Sequence, residues 1–358
     1  MQYSHIRPLL TAAAAAVLLG GCVQAVSSKP DDGAALSAAG TGVIAASRVV
    51  SLSSPTISLA LDRIDQRGPE LDNRYYRRGT GAGVTVYVFD GGVSETHPEL
   101  AGRVRRGFNA FPGDTALCNA HGTAVAGAIG GASLGVAPGV DIVDVKMVDC
   151  RRMRGTIQGI VDAAAWVLDD ARQHPGRRAV ANWSFIADTS ASIPPLDSAI
   201  SALTRAGIPV VVSAGNVDVN ACRISPANAP YAIAVGASAY TRDAAGHGHD
   251  LRADGTAFGP CIDLYAPGDS VMLPGLDRRG MPIEQLWNGT SMSAGYVSGA
   301  AALFLEMNPS ATALEVAAYL KNSGTRDVVE GTRAHRSALL FVGAAERPAE
   351  RVALRPRN

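Results

Sequence analysis

The amino-acid sequence predicts an α/β fold in which a parallel sheet carries helices on both faces. Short runs rich in β-branched residues alternate with longer helix-like stretches, the pattern of repeated strand–helix–strand units. Hydrophobic residues make up 47% of the chain and charged ones 18%, against a usual charged share of about 25%. That composition supplies a large core and excludes an intrinsically disordered chain. Glycine is abundant, 39 of 358 residues, without a collagen-like period, which signals tight turns and close backbone packing. Lys+Arg and Asp+Glu both number 32. No basic field exists to hold a polyanion, so nucleic acid is not an expected partner.

Residues 1–22 read as an export signal. Arg7 precedes an apolar run from Leu9 to Gly21, shorter than the roughly 20 residues that span a bilayer and shaped like a secretory signal's hydrophobic region. Leu19-Gly20-Gly21-Cys22 resembles a bacterial lipobox, where cleavage before the cysteine leaves it as the lipid-bearing terminus. Lipid on Cys22 anchors a protein to a membrane of the cell envelope without a transmembrane helix. The alternative is a plain signal cut at the small residues, releasing a secreted or periplasmic protein. Residues 23–55 are small and polar, a flexible tether. The folded domain occupies 56–343, and 344–358 is a solvated tail.

Within the domain, strand-like runs fall at Val84–Phe89, Ile142–Met147, Ala179–Trp183, Ile208–Ser213 and Ala232–Val235. Helical stretches fall at Gly122–Gly130, Thr156–His174, Pro195–Ala206 and Thr290–Met307. The chain has five cysteines. Lipidation of Cys22 accounts for the odd one, and the other four permit three pairings. Proximity in sequence favours Cys118–Cys150 and Cys222–Cys261, each worth about 3 kcal/mol through the unfolded chain.

Four places carry polar groups that the local pattern does not require. Asp90 ends the first run before Gly91-Gly92, and ligands of such sheets gather beyond the carboxyl ends of strands. His121 opens the helical string H-G-T-A-V-A-G, where an imidazole has no core role. Asn216 closes V-V-V-S-A-G-N with an amide donor. Ser291 lies in N-G-T-S-M-S-A, at the start of an almost wholly apolar helix whose N-terminal field suits a developing oxyanion. Singly, each has an ordinary explanation as a turn former, a structural His or a helix cap. Together they fill each role of a relay once. A hydroxyl needs a base, the base needs an acid to hold its tautomer, and the tetrahedral intermediate needs a donor.

These strings and their order, Asp then His then Ser, resemble the subtilisin-family serine proteases, nearest the proteinase K and aqualysin branch. The resemblance runs from residue 59 to about 342 and opens on Leu61-Asp62-Arg63-Ile64-Asp65-Gln66-Arg67. It implies an endopeptidase working through an acyl-enzyme, with Asp90 as acid, His121 as base, Ser291 as nucleophile and Asn216 as oxyanion amide. It implies that the main chain of Ser184-Phe185-Ile186 and Ser213-Ala214-Gly215 holds a peptide substrate as an added strand. The cysteine pairs above match the branch's two disulfides. The branch's structural calcium site corresponds to Pro230, Ala232 and Asp263, and the chemistry itself requires no cofactor. A monomer is expected.

Some residues depart from the family pattern. Gly295 replaces the usual Pro, loosening the first turn of the nucleophile helix. Ile186, in N-W-S-F-I-A, stands where the family has Gly and reshapes the first specificity pocket. D-G-G replaces D-S-G or D-T-G. The stretch 23–55 is shorter than the family's folding-assistant propeptide. Ile186, Gly295 and the short 23–55 stretch motivate a competing reading, a catalytically weak or inactive subtilase-like binding module at the cell envelope. His247-Gly248-His249-Asp250 reads as loop in preference to a metal site. The triplets starting at Asn182 and Asn288 fit the glycosylation pattern but fall in segments expected to be buried.

Overall fold

A computed structural model describes residues 16–18, 58–189, 192–333 and 337–343. Cys22, the tether and the tail lie outside these, and with them the expected lipid attachment. Among the described residues no helix is long and apolar enough to cross a membrane.

A short strand, β1 (Ala16–Leu18), pairs antiparallel with β5 (Arg154–Thr156). The main sheet is built on β2 (Val84–Asp90), β3 (Val104–Asn109), β4 (Asp141–Lys146), β6 (Arg178–Trp183), β7 (Val210–Ser213), β8 (Ala232–Arg242) and β10 (Leu264–Pro267). Its order is β3-β4-β2-β6-β7-β8-β10, every neighbouring pair parallel. At one edge β9 (Gly248–Arg252) folds back antiparallel on β8. Three two-residue strands, β13 (Thr325–Arg326), β14 (Val329–Glu330) and β15 (Ala338–Leu339), complete that edge. A separate hairpin pairs β11 (Val271–Leu276) with β12 (Pro282–Trp287).

The helices are α1 (Leu59–Ile64), α2 (His121–Gly130), α3 (Ile157–Gln173), α4 (Pro194–Arg205), α5 (Thr290–Met307) and α6 (Ala313–Ser323). Side chains of a strand alternate between faces, and here both faces are covered. Val86 and Val88 join the core that holds α2 and α5, whereas Tyr87 and Phe89 join the core that holds α3 and α4. All seven residues of β2 are buried, the signature of a strand sandwiched between helix layers. The expected fold class holds, and both expected disulfides are formed, Cys118–Cys150 and Cys222–Cys261.

Some elements escaped the sequence reading. β3 reads V-R-R-G-F-N and is only half-buried because it is an edge strand, so it has no apolar run to find. β8 continues past Val235 to Arg242, where its outer end becomes exposed and polar. α6 starts with a capping box, Thr312 accepting from Glu315 N–H while Glu315 accepts from Thr312 N–H, a signal that was legible.

Candidate active site

Asp90 is the last residue of β2, and its buried carboxylate is engaged on both oxygens. Oδ1 accepts the Gly91 N–H at 2.7 Å, and Oδ2 lies 2.7 Å from Nδ1 of His121. An ionised carboxylate can only accept, so Nδ1 carries the proton of the neutral imidazole and Nε2 is left as the basic nitrogen. His121 opens α2, its backbone N–H held by Asn119 Oδ1 at 2.9 Å. The local glycines make this approach possible. Gly92 has φ +116°, outside the range of ordinary side chains, and a Cβ on Gly122 would come within 3.0 Å of Asp90 Cβ. Trp287, at the end of β12, sets its ring edge-on 6.3 Å from the imidazole and is anchored by Nε1 donating to Pro274 O at 3.1 Å.

Ser291 occupies the first turn of α5, behind Gly289 at φ +132°. Its hydroxyl donates to Ser184 O at 3.3 Å, and its own carbonyl accepts from Ser184 Oγ at 3.0 Å. Asn182 Nδ2 donates to Ser184 Oγ at 2.9 Å, and Ser298 Oγ donates to Asn182 Oδ1 at 3.0 Å. A buried polar ladder thus ties the end of β6 to two turns of α5. Sequence reasoning missed it, because Asn182 and Ser298 look like ordinary small polar residues until the sheet and helix are packed.

Asn216 follows β7. Its Oδ1 accepts from both the backbone N–H and the hydroxyl of Thr290, at 2.9 and 3.0 Å. That leaves the amide NH2 alongside Gly289, where a Cβ would meet Nδ2 at 3.0 Å. The donor group is therefore oriented beside the segment leading into Ser291. α2 and α5 meet one turn beyond both His121 and Ser291. A Cβ on Gly295 would come 2.9 Å from Ala128 Cβ and 3.0 Å from Val125 O. Gly295 does not interrupt α5, which runs unbroken to Met307; its role is to let the two helices touch.

Ser184, Phe185, Ser213 and Ala214 bury their side chains completely or nearly so, so only their main chain can line a cleft. Gly215 N–H donates to Thr290 Oγ1 at 3.1 Å, and a Cβ on Gly215 would lie 3.3 Å from Ile186 Cγ2. Ile186 therefore packs against the Gly215 turn.

The residues assigned to calcium show a different partner. Asp263 Oδ2 accepts the Ala234 N–H at 2.9 Å, and Oδ1 pairs with Lys321 Nζ of α6 at 3.0 Å. Pro230 and Ala232 flank Tyr231, which is exposed at φ +68°. Calcium takes six to eight oxygen ligands, and here the one carboxylate is already matched by an ammonium. The donor set fits Lys321, not calcium. Asp250 of the His-Gly-His-Asp string is buried in a bidentate pair with Arg63, at 2.6 Å, while His247 and His249 gather around exposed Asp243. Of the two glycosylation triplets, Asn182 is buried as expected; Asn288 is exposed, a correction that follows from its place in the loop after β12.

Comparison with known proteins agrees with this architecture. The Subtilase family matches residues 81–339. The chain is 39% identical over 296 residues to the extracellular serine proteinase of Thermus sp. (strain Rt41A), covering 82% of this chain and 68% of that one. It is 35% identical to alkaline serine exoprotease A of Vibrio alginolyticus, covering 78% of this chain and 49% of that protein, so it spans about half of that relative's length. A crystal structure of a cold adapted subtilisin-like serine proteinase superposes with TM-score 0.71 at 35% identity, covering 81% of this chain and 99% of the other. The chain therefore belongs to the subtilase family, as a subtilisin-like serine proteinase.

Proposed function

We propose that the protein is an exported serine endopeptidase that hydrolyses peptide bonds through an acyl-enzyme. Ser291 Oγ attacks the scissile carbonyl, His121 Nε2 takes its proton and later delivers it to the leaving amine, and Asp90 holds Nδ1–H. The amide NH2 of Asn216 stabilises the oxyanion at the N-terminus of α5. The observation that carries this reading is the 2.7 Å Asp90–His121 contact on α2, a helix packed directly on α5, whose first turn holds Ser291.

The substrate is an extended peptide. Support comes from β5, which follows the carboxyl end of β4 and takes β1 as an antiparallel partner through main-chain pairing. An edge strand of this kind recognises backbone and leaves specificity to side-chain pockets. Ile186 against Gly215 shapes the first such pocket. The relatives named above as extracellular support export, and Cys22 as a lipid anchor follows from its sequence context; loss of palmitate incorporation in Cys22→Ala tests the anchor. The protein acts as a monomer, with no nucleic-acid partner.

The decisive experiment is labelling with a fluorophosphonate probe. Wild type is expected to label and Ser291→Ala not to. Equal labelling of both, or a folded wild type that does not label, sinks the catalytic reading.

A further inference from the structure

A second carboxyl group lies beside Asp90, and the reaction outlined above does not use it. In the parallel pairing of β2 and β4, Lys146 stands opposite Asp90 and Asp144 opposite Val88. Because side chains alternate, Asp144 and Asp90 project from the same face of the sheet. Asp144 is only 8% exposed. The Val93 N–H, in the loop that follows Asp90, donates to it. Its Oδ1 has no hydrogen-bond partner among the described residues.

The charges that face Asp144 do not neutralise it. Asp90 on β2 repels it, and His121 on α2 is engaged with Asp90. Arg106 on β3 attracts it from a distance but is mostly exposed and paired with Glu95 at 3.1 Å. Lys146, on its own strand, turns its ammonium to Asp114 at 3.2 Å, Val148 O at 3.0 Å and Cys150 Sγ at 3.2 Å. Burial pushes the Asp144 carboxyl up to about 7; the Val93 N–H opposes this, Asp90 reinforces it, and Arg106 and Lys146 oppose it weakly. A buried carboxyl with an unused oxygen serves packing poorly, since a neutral side chain would fill the space at lower cost.

We propose that Asp144 is a positioning acid that sets the pH range of the Asp90–His121 pair. Ionised, it adds a second negative charge beside Asp90 and makes the imidazole more basic. Protonated from solvent, it withdraws that charge. It touches no substrate and acts only through Asp90 and His121, so the inference rests on the catalytic reading above.

The sign follows from the chemistry. Only neutral His121 can act as base, so the acidic limb of kcat/KM reports its protonation, coupled to that of Asp144. An ionised neighbour stabilises the imidazolium and lifts the midpoint of that limb. The test measures kcat/KM of a chromogenic peptide against pH for wild type, Asp144→Asn and Asp144→Ala. The two variants differ in shape and share only the loss of charge. Both are expected to move the midpoint down by about half to one pH unit, keeping the alkaline plateau within about threefold. A midpoint that stays put in both, or a lowered plateau with the midpoint kept, overturns the proposal.

A second measurement is independent of activity and uses a Ser291→Ala background to prevent self-digestion. The folded state holds the Asp144 proton from the ordinary carboxylate value of 3.8 up to about 7, so stability is lost as pH rises through that window. Asp144→Asn mimics the protonated form. It is expected to raise the unfolding temperature by several degrees at pH 9, by less than half as much at pH 5, and hardly at all at pH 3. The same shift at all three pH values means that the carboxyl does not titrate, and the proposal fails. Failure of the catalytic reading is recognised separately, by absent fluorophosphonate labelling of wild type, and leaves this thermal test intact.

Discussion

Thr290 gives both its backbone N–H and its hydroxyl to one oxygen of Asn216, at 2.9 and 3.0 Å, and its hydroxyl also accepts the Gly215 N–H. Three bonds around one threonine thus determine which end of the Asn216 amide faces the start of α5. The arrangement carries a quantitative expectation. Asn216→Ala should lower kcat by about 10²–10³ with KM little changed, because the lost donor acts on charge that develops in the transition state. Thr290→Ala should produce a smaller loss, largely restored by Ser, since the amide remains but is no longer held. Steady-state kinetics on a peptide substrate check both, and an unchanged kcat in Asn216→Ala removes the oxyanion role. At this scale Asp90, His121, Asn216 and Ser291 were legible, because each stood in a string that its local pattern did not need. Asp144 was not. In I-V-D-V-K-M it reads as one polar residue in a strand, and only burial and register show that it stands beside Asp90.

α2 and α5 are rich in small residues, and their contact depends on it. Val125 O faces Gly295, and Ile129 O would lie 2.7 Å from a Cβ on Gly299. Backbone thus approaches backbone at two successive turns. Each contact falls a whole number of turns from His121 or Ser291, so the helix crossing sets the spacing between these two residues, the proposed base and nucleophile. Gly295→Ala forces a methyl against a carbonyl that cannot rotate away. The expected cost is about 1–3 kcal/mol in thermal unfolding, with kcat reduced by as much as about 10²-fold because the reacting groups are displaced. Unchanged activity with unchanged stability would show that the crossing tolerates separation. The sequence suggested that glycine here weakens α5. In the structure it is a packing requirement imposed by α2, a helix 165 or more residues earlier in the chain.

On the scale of the whole molecule, two cores share one sheet and the site lies where the carboxyl ends of β2, β6 and β7 meet α2 and α5. Distant segments are fastened across this body by Cys118–Cys150, Cys222–Cys261, the buried Arg63–Asp250 pair and the Lys321–Asp263 pair. The last of these puts an ammonium on Asp263, the one carboxylate among the residues that family resemblance carries over for calcium. Wild-type unfolding temperature is therefore expected to respond little to calcium or to a chelator. Lys321→Met, which leaves Asp263 without its cation, should gain a calcium-dependent increase of a few degrees. A large calcium response in wild type would show that the metal displaces the lysine.

The sequence alone determined the fold class, singled out the four polar residues proposed to form the relay and favoured the two disulfide pairings that the structure shows, because each leaves a local mark in periodicity, motif or spacing. Only the tertiary structure decided that Gly295 is a contact, that Lys321 pairs with Asp263, and that Asp144 shares a face with Asp90. These depend on which residues packing brings together, and long-range proximity in a folded chain has no counterpart in linear order.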